Sequence, residues 1–192
     1  MSISPDTALS RLREGNRRFV DGLSGGQFTS ERASDSARGQ NPWAVVVGCS
    51  DSRVPVEAVF DVGVGDLFVV RTAGHVLAAA SIASVRFALE KLGARTVVVL
   101  GHEDCGAVSA ALAGDAPAWL APITDHIHIE LVDAANAPAD ADNALLAAAV
   151  DHHVQDTVGE LERLIASFDL TEPVAVAGAA YKLASGEVHW LR

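Results

Sequence analysis

Four short apolar runs, mostly β-branched, constrain this chain most: WAVVVG (43–48), LFVVR (67–71), TVVVLG (96–101) and PVAVAGAAY (173–181). None alternates apolar with polar residues, so each predicts a strand buried on both faces. Between them lie stretches of helical spacing. Ile82, Val85, Leu89 and Leu92 recur at that period and stop at Gly93. Residues 140–168 carry Leu146, Val150, Val154, Val158, Leu161, Ile165 and Phe168 on one side. Strands alternating with helices predict an α/β fold with a mostly parallel central sheet flanked by helices. EVHWLR (187–192) does alternate, and Ser185-Gly186 before it marks a tight turn. The last strand is therefore expected as an antiparallel C-terminal edge.

Before the first strand the pattern is different. Ser4 is placed to cap a helix over 5–20, Pro5 suits its first turn, and Leu9, Leu12, Asn16, Phe19 and Val20 form a thin stripe. Residues 21–41, rich in Gly, Ser and charge, read as a loop with one helical turn near 31–38. The expected organisation is a single domain over 1–192, with an N-terminal helical arm and loop at 1–41 and an α/β core at 42–192. The connection from 114 to 139, rich in Pro and Asp, reads as a surface excursion.

Composition narrows the function. A net charge of −11 repels nucleic acid, and the densest basic stretch, RLREGNRR (11–18), is interrupted by Glu14. Membrane-surface binding is excluded on the same ground. No run approaches the roughly 18 apolar residues of a membrane span, and the N-terminus is polar where a signal peptide would be apolar. A cytoplasmic protein is expected. Its two cysteines are then not expected to form a structural disulfide.

Those cysteines fall at strand ends. Cys49 follows the first strand in VVVGCSDSRVP (45–55), and GHEDCGAV (101–108) places His102 and Cys105 at the end of the third. Ligands bind at the carboxyl ends of parallel strands, where neighbouring connections diverge. His102 and Cys105, three apart on a starting helical turn, would point to one place, with Gly48, Gly101 and Gly106 letting the backbone crowd it. Two thiolates and an imidazole suit tetrahedral Zn²⁺. Two buried cysteines with a core histidine, or a nucleophilic Cys–His pair, are weaker alternatives. The fourth position separates a structural from a catalytic zinc. Asp51 could fill it, or Arg53 could hold Asp51 away and leave the position to water. Such a water becomes a nucleophile as its pKa drops from about 15.7 towards about 7. Two thiolates offset the metal's charge, so activity is expected to need mildly alkaline pH.

CSDSR followed by GHEDCGA resembles the β-class carbonic anhydrases, marked by Cys-x-Asp-x-Arg and His-x-x-Cys. LREGNRRF (12–19), residues 54–76, residues 84–108 and residues 176–191 also look like family segments in the family's order. The resemblance implies reversible hydration of CO₂ to bicarbonate and a proton on one Zn²⁺ per subunit. It implies Cys49, His102 and Cys105 as ligands, with Asp51 either the fourth ligand or paired to Arg53. Gly106 is a candidate substrate-binding position. It also implies a homodimer or a tetramer (a dimer of dimers), with the N-terminal helix embracing the partner subunit.

The chain departs from the family pattern in places. Residues 61–65 offer no side-chain amide where some members have glutamine. His75 stands where many have Asn, with either a proton-shuttling role or a local loop hydrogen bond. Val46 stands where members with a regulatory bicarbonate have Trp, although Arg71 and Tyr181 match. Two rival functions remain: hydrolysis of carbon disulfide or carbonyl sulfide on the same scaffold, and a non-catalytic zinc protein that senses bicarbonate. His126 and His128 read as surface residues, and only one of His152 and His153 can face inward. Trp119 and Trp190 are expected to be packing residues.

Overall fold

In the computed structural model, which describes residues 3–127 and 141–191, the chain opens with α1 (Pro5–Val20). The Ser4 hydroxyl caps it by accepting the Thr7 N–H at 3.3 Å, and Pro5 occupies the first turn, where no backbone donor is needed. A one-sided helical turn, α2 (Ser30–Ser36), follows behind the Thr29 cap. The core then runs β1 (Ala44–Cys49), α3 (Val56–Val59), β2 (Leu67–Thr72), α4 (Ala79–Glu90), β3 (Thr96–His102) and α5 (Gly106–Ala113). It continues through α6 (Ala121–Thr124), α7 (Ala141–Ile165), β4 (Ala175–Tyr181) and β5 (Val188–Trp190).

The strands form one sheet in the order β2-β1-β3-β4-β5, parallel except for the antiparallel β4–β5 pair. A left-handed Gly186 (φ 77°) makes the turn into β5. β1 and β3 are buried at every position, which explains why neither alternates in sequence. Period-two geometry still sorts their side chains. Val45, Val47, Val97 and Val99 pack with Val85 and Leu89 of α4 and Val154, Val158 and Leu161 of α7. Val46, Val98 and Leu100 pack on the opposite face with Leu12 of α1, Val56 and Val59 of α3, and Phe60. Each fully buried valine or leucine contributes about 1.5–3 kcal/mol relative to exposure.

The middle of the stripe on α1 is covered by its own chain, while Val20 at its end is exposed. Leu12 is fully buried, and Gly15 lies so close to α3 that an added Cβ would sit 1.8 Å from the Phe60 carbonyl oxygen. Asn16 donates to the Val59 carbonyl at 3.1 Å and the Gly186 carbonyl at 2.8 Å, and accepts from the Val188 N–H at 2.9 Å. A single buried amide thus ties α1 to α3 and to the last hairpin. Trp190 packs at 6.4 Å from Phe60, as expected, but Trp119 is 77% exposed. It lies in a short turn, 118–120, and its exposure among the described residues corrects its reading as a packing residue. His128 and the second part of the 114–139 connection, from 128 on, lie outside the described residues, while His126 is exposed.

Candidate metal centre

The connections of β1 and β3 leave on opposite faces, α3 on one and α5 on the other, which makes their carboxyl ends the place where a ligand crevice is expected. Cys49 is the last residue of β1 and His102 the last of β3. His102 is therefore on a strand, not on a helical turn as the sequence spacing suggested. The chain reverses through Glu103 and a left-handed Asp104 (φ 52°), and Cys105 sits at the N-cap of α5. This turn, rather than helical i, i+3 geometry, brings the two side chains together.

The Cys49 and Cys105 sulfurs and a His102 ring nitrogen all lie within 4.8 Å of one another, with Sγ–Sγ at 4.0 Å. All three residues are buried. His102 Nδ1 lies 2.7 Å from the Glu103 carbonyl, which requires Nδ1 to carry the proton. That leaves the lone pair on Nε2, which has no hydrogen-bond partner among the described residues. An orphaned imidazole nitrogen between two thiols is the donor set that Zn²⁺ takes, so these residues fit that ion and could hold it.

The electrostatics agree. The Cys49 thiol is drawn down to about 4, first by pairing with Cys105 and further by His102 and the backbone N–H groups of Asp51 and Gly74, against the opposing effect of burial. Cys105 is pushed far above the usual thiol range by the Cys49 thiolate and by burial. Burial pulls His102 down, but the Cys49 thiolate, the Glu103 carbonyl and Asp51 outweigh it and the net direction is up.

Asp51 is turned towards Arg53. Oδ1 accepts from Arg53 Nε at 3.0 Å and from the Arg53 backbone N–H at 2.8 Å, while Oδ2 accepts from Nη2 at 2.8 Å. This bidentate clamp holds the carboxyl well below its usual range. The same Nη2 donates to the Asp104 carbonyl at 3.1 Å, anchoring the clamp to the far side of the crevice. Oδ2 remains 3.9 Å from His102 Nε2.

Sequence reasoning missed two supports. Arg71 on β2 donates to the Cys49 carbonyl at 2.8 Å and the Asp51 carbonyl at 2.6 Å, holding the 49–51 loop. The Gly74 N–H donates to Cys49 Sγ at 3.3 Å. Gly74 is one glycine among 16, and nothing local marks it as facing a thiol. Gly106 opens α5 and is exposed, and an added Cβ there would meet nothing within 4 Å. Real crowding is at Gly101, where a Cβ would come within 2.6 Å of Val154 on α7. His75 makes no loop hydrogen bond: it is fully buried, neither ring nitrogen has a partner among the described residues, and its ring stacks on His153 at 4.4 Å. A left-handed backbone (φ 46°) turns it inward onto α7 and away from loop acceptors. His153 is the inward member of its pair, while His152 reaches Asp156 at 3.2 Å.

A carbonic anhydrase family model matches residues 44–188, which spans the whole crevice and the sheet behind it. The chain belongs to the β-carbonic anhydrase family. It is 51% identical over 112 residues to carbonic anhydrase 2 of Mycobacterium tuberculosis, a segment covering 57% of this chain and 54% of that protein. The chain thus matches about half the length of that relative. Against the carbonic anhydrase of Mycolicibacterium smegmatis it is 38% identical over 195 residues, covering 96% of this chain and 92% of the other. Among solved β-carbonic anhydrases, CafA of Aspergillus fumigatus superposes with a TM-score of 0.74 at 25% identity, covering 97% and 89% of the two chains. The Coccomyxa enzyme, solved with acetazolamide, gives 0.74 at 26% identity over 95% and 86%. No helix among the described residues is long and apolar enough to cross a membrane.

Proposed function

We propose that this chain catalyses the reversible hydration of CO₂ to bicarbonate and a proton, with Zn²⁺ held by Cys49, His102 and Cys105. One observation carries the reading: three buried soft donors converge within 4.8 Å while the nearest carboxylate, Asp51, is held by Arg53 instead of closing the set. Zinc, when bound, supplies the Lewis acidity that makes water nucleophilic near neutral pH.

The protein's own groups arrange the rest. The Glu103 carbonyl holds the proton on His102 Nδ1, so Nε2 faces the crevice as an acceptor. Asp51, kept ionised by Arg53, offers Oδ2 beside that nitrogen as the acceptor that orients an incoming water. Val76, Val108, Ile127 and Val150 wall the cysteines with apolar surface, which excludes bulk water and suits a small, linear, uncharged substrate. The exposed Gly106 leaves the backbone at the start of α5 open to that substrate. Asp51 thereby acts as a gate, closing the site only when it leaves Arg53. The working form is cytoplasmic and a homodimer or tetramer, the assembly being supported by Leu23 and Phe28, which are 67% and 59% exposed on the segment between α1 and α2.

The test is stopped-flow CO₂ hydration on protein of known zinc content, from mildly acidic to alkaline pH. Activity that rises with pH at one zinc per subunit is the expected result. Full zinc occupancy with no hydration anywhere in the range would overturn the proposal, leaving a bicarbonate sensor or an enzyme for carbon disulfide or carbonyl sulfide.

A further inference from the structure

The hydrogen bond that Cys49 receives from Gly74 comes from an unusual piece of backbone. Gly74 (φ 64°) and His75 (φ 46°) are left-handed in succession. For His75 that conformation is strained and persists only where the surroundings enforce it. A side chain at Gly74 would be strained by the positive φ, and its Cβ would lie a tight 3.0 Å from both Ala107 and Ile127.

The enforcement comes from α7, which packs on the same face of the sheet as Cys49. His153 on α7 lies with Nε2 2.8 Å from the Gly74 carbonyl, buried. A carbonyl can only accept, so Nε2 carries the proton and donates whether the ring is neutral or charged. The His153 ring also stacks on His75, at 4.4 Å and 28°. α7 can bring His153 this close because glycines let it sink into the sheet. Added Cβ atoms at Gly101 and Gly178 would lie 2.6 Å and 2.9 Å from Val154, the residue after His153.

We infer that His153 is a positioning residue for the metal centre: by holding the Gly74 carbonyl it keeps the Gly74 N–H aimed at Cys49 Sγ. The inference rests on the reading of Cys49 as a metal ligand. An N–H donated to a thiolate draws electron density from sulfur and fixes the direction in which it is held, here across 3.3 Å from Gly74. Outer groups of this kind fix a ligand's orientation and basicity, and losing one costs about 10–100-fold in metal affinity. The role is independent of catalysis, because it acts on the ligand and not on the substrate.

The experiment compares the unaltered protein with His153→Leu and His153→Gln, each loaded with Co²⁺ for spectroscopy and with Zn²⁺ for competition against a chelator. Leucine fills the space without a donor, whereas glutamine can present an amide N–H to the same carbonyl. In His153→Leu the thiolate-to-cobalt charge-transfer band moves to longer wavelength and zinc retention falls by about 10–100-fold. In His153→Gln both stay close to the unaltered values. A His153→Leu protein with an unchanged band and unchanged retention overturns the inference, as does a His153→Gln protein that shifts as far as His153→Leu. If neither variant folds, the unaltered protein loaded with ¹¹³Cd decides: scalar coupling between the metal and the Gly74 amide proton supports the inference, and its absence overturns it. Failure of the unaltered protein to take up any of these metals overturns the metal centre itself, an outcome distinct from all the others. CO₂ hydration enters none of these readouts.

Discussion

Asp51 is the residue on which the proposed gate turns, because one short side chain is paired to a guanidinium while one of its oxygens lies 3.9 Å from His102 Nε2. Arg53 holds it through three hydrogen bonds spanning 2.8–3.0 Å. Replacing Arg53 with alanine keeps only the bond from its backbone N–H. The carboxyl then returns towards its ordinary range and is free to turn to the metal. The expected outcome for Arg53→Ala is CO₂ hydration reduced about 10–100-fold near neutral pH with zinc content unchanged, checked by stopped-flow and metal analysis on the same sample. Unchanged turnover would remove Arg53 from the mechanism. This pairing was legible at sequence level because two-residue spacing in CSDSR keeps the groups adjacent in any loop. Arg71 was not, since its acceptors are backbone carbonyls 20 and 22 positions away that only the β1–β2 register brings alongside.

The elements were readable where their burial is uniform. β1 and β3 announce themselves because a strand covered on both faces has no polar position to blur it. α1 announces its ends through Ser4 and Pro5, but its apolar stripe names no partner. Asn16 shows why: its acceptors and donor come from α3 and from the hairpin 170 residues later. Asn16→Ala leaves two carbonyls and one N–H without partners in a buried seam. It should destabilise the fold by about 2–3 kcal/mol, read from the urea midpoint at constant slope. A loss below roughly 0.5 kcal/mol, within the range of an ordinary surface change, would mean that α1 is not clasped there. The same limit applies to α7, whose periodicity predicted a helix with one buried face but not how deeply Gly101 and Gly178 let it sink.

For the whole molecule, His75 couples folding to pH. Burial, followed by the charges of His153 and His102, holds it well below the usual histidine value, so the folded protein leaves it neutral. The unfolded chain binds that proton below about pH 6.5. The contribution is therefore fully present above that pH and lost as pH falls, at up to about 1.4 kcal/mol per pH unit. His102, shifted upward, acts with the opposite sign, so the readout is a difference between proteins. His75→Asn, which tolerates the left-handed backbone, should show a flatter loss of stability between pH 6.5 and 5 in urea titrations. An identical slope in both proteins would refute the assignment. By itself the sequence determined the layer order, the parallel sheet with its antiparallel edge, the family resemblance and the residues of the centre. Those features follow from local periodicity and from motifs a few residues long. Only the tertiary structure decided that Asp51 sits on Arg53, that His102 and Cys105 meet through a left-handed turn, and that His153 stands behind the metal centre. Each of these depends on contacts between segments far apart in the chain, and the register and depth of packing that create such contacts leave no local pattern.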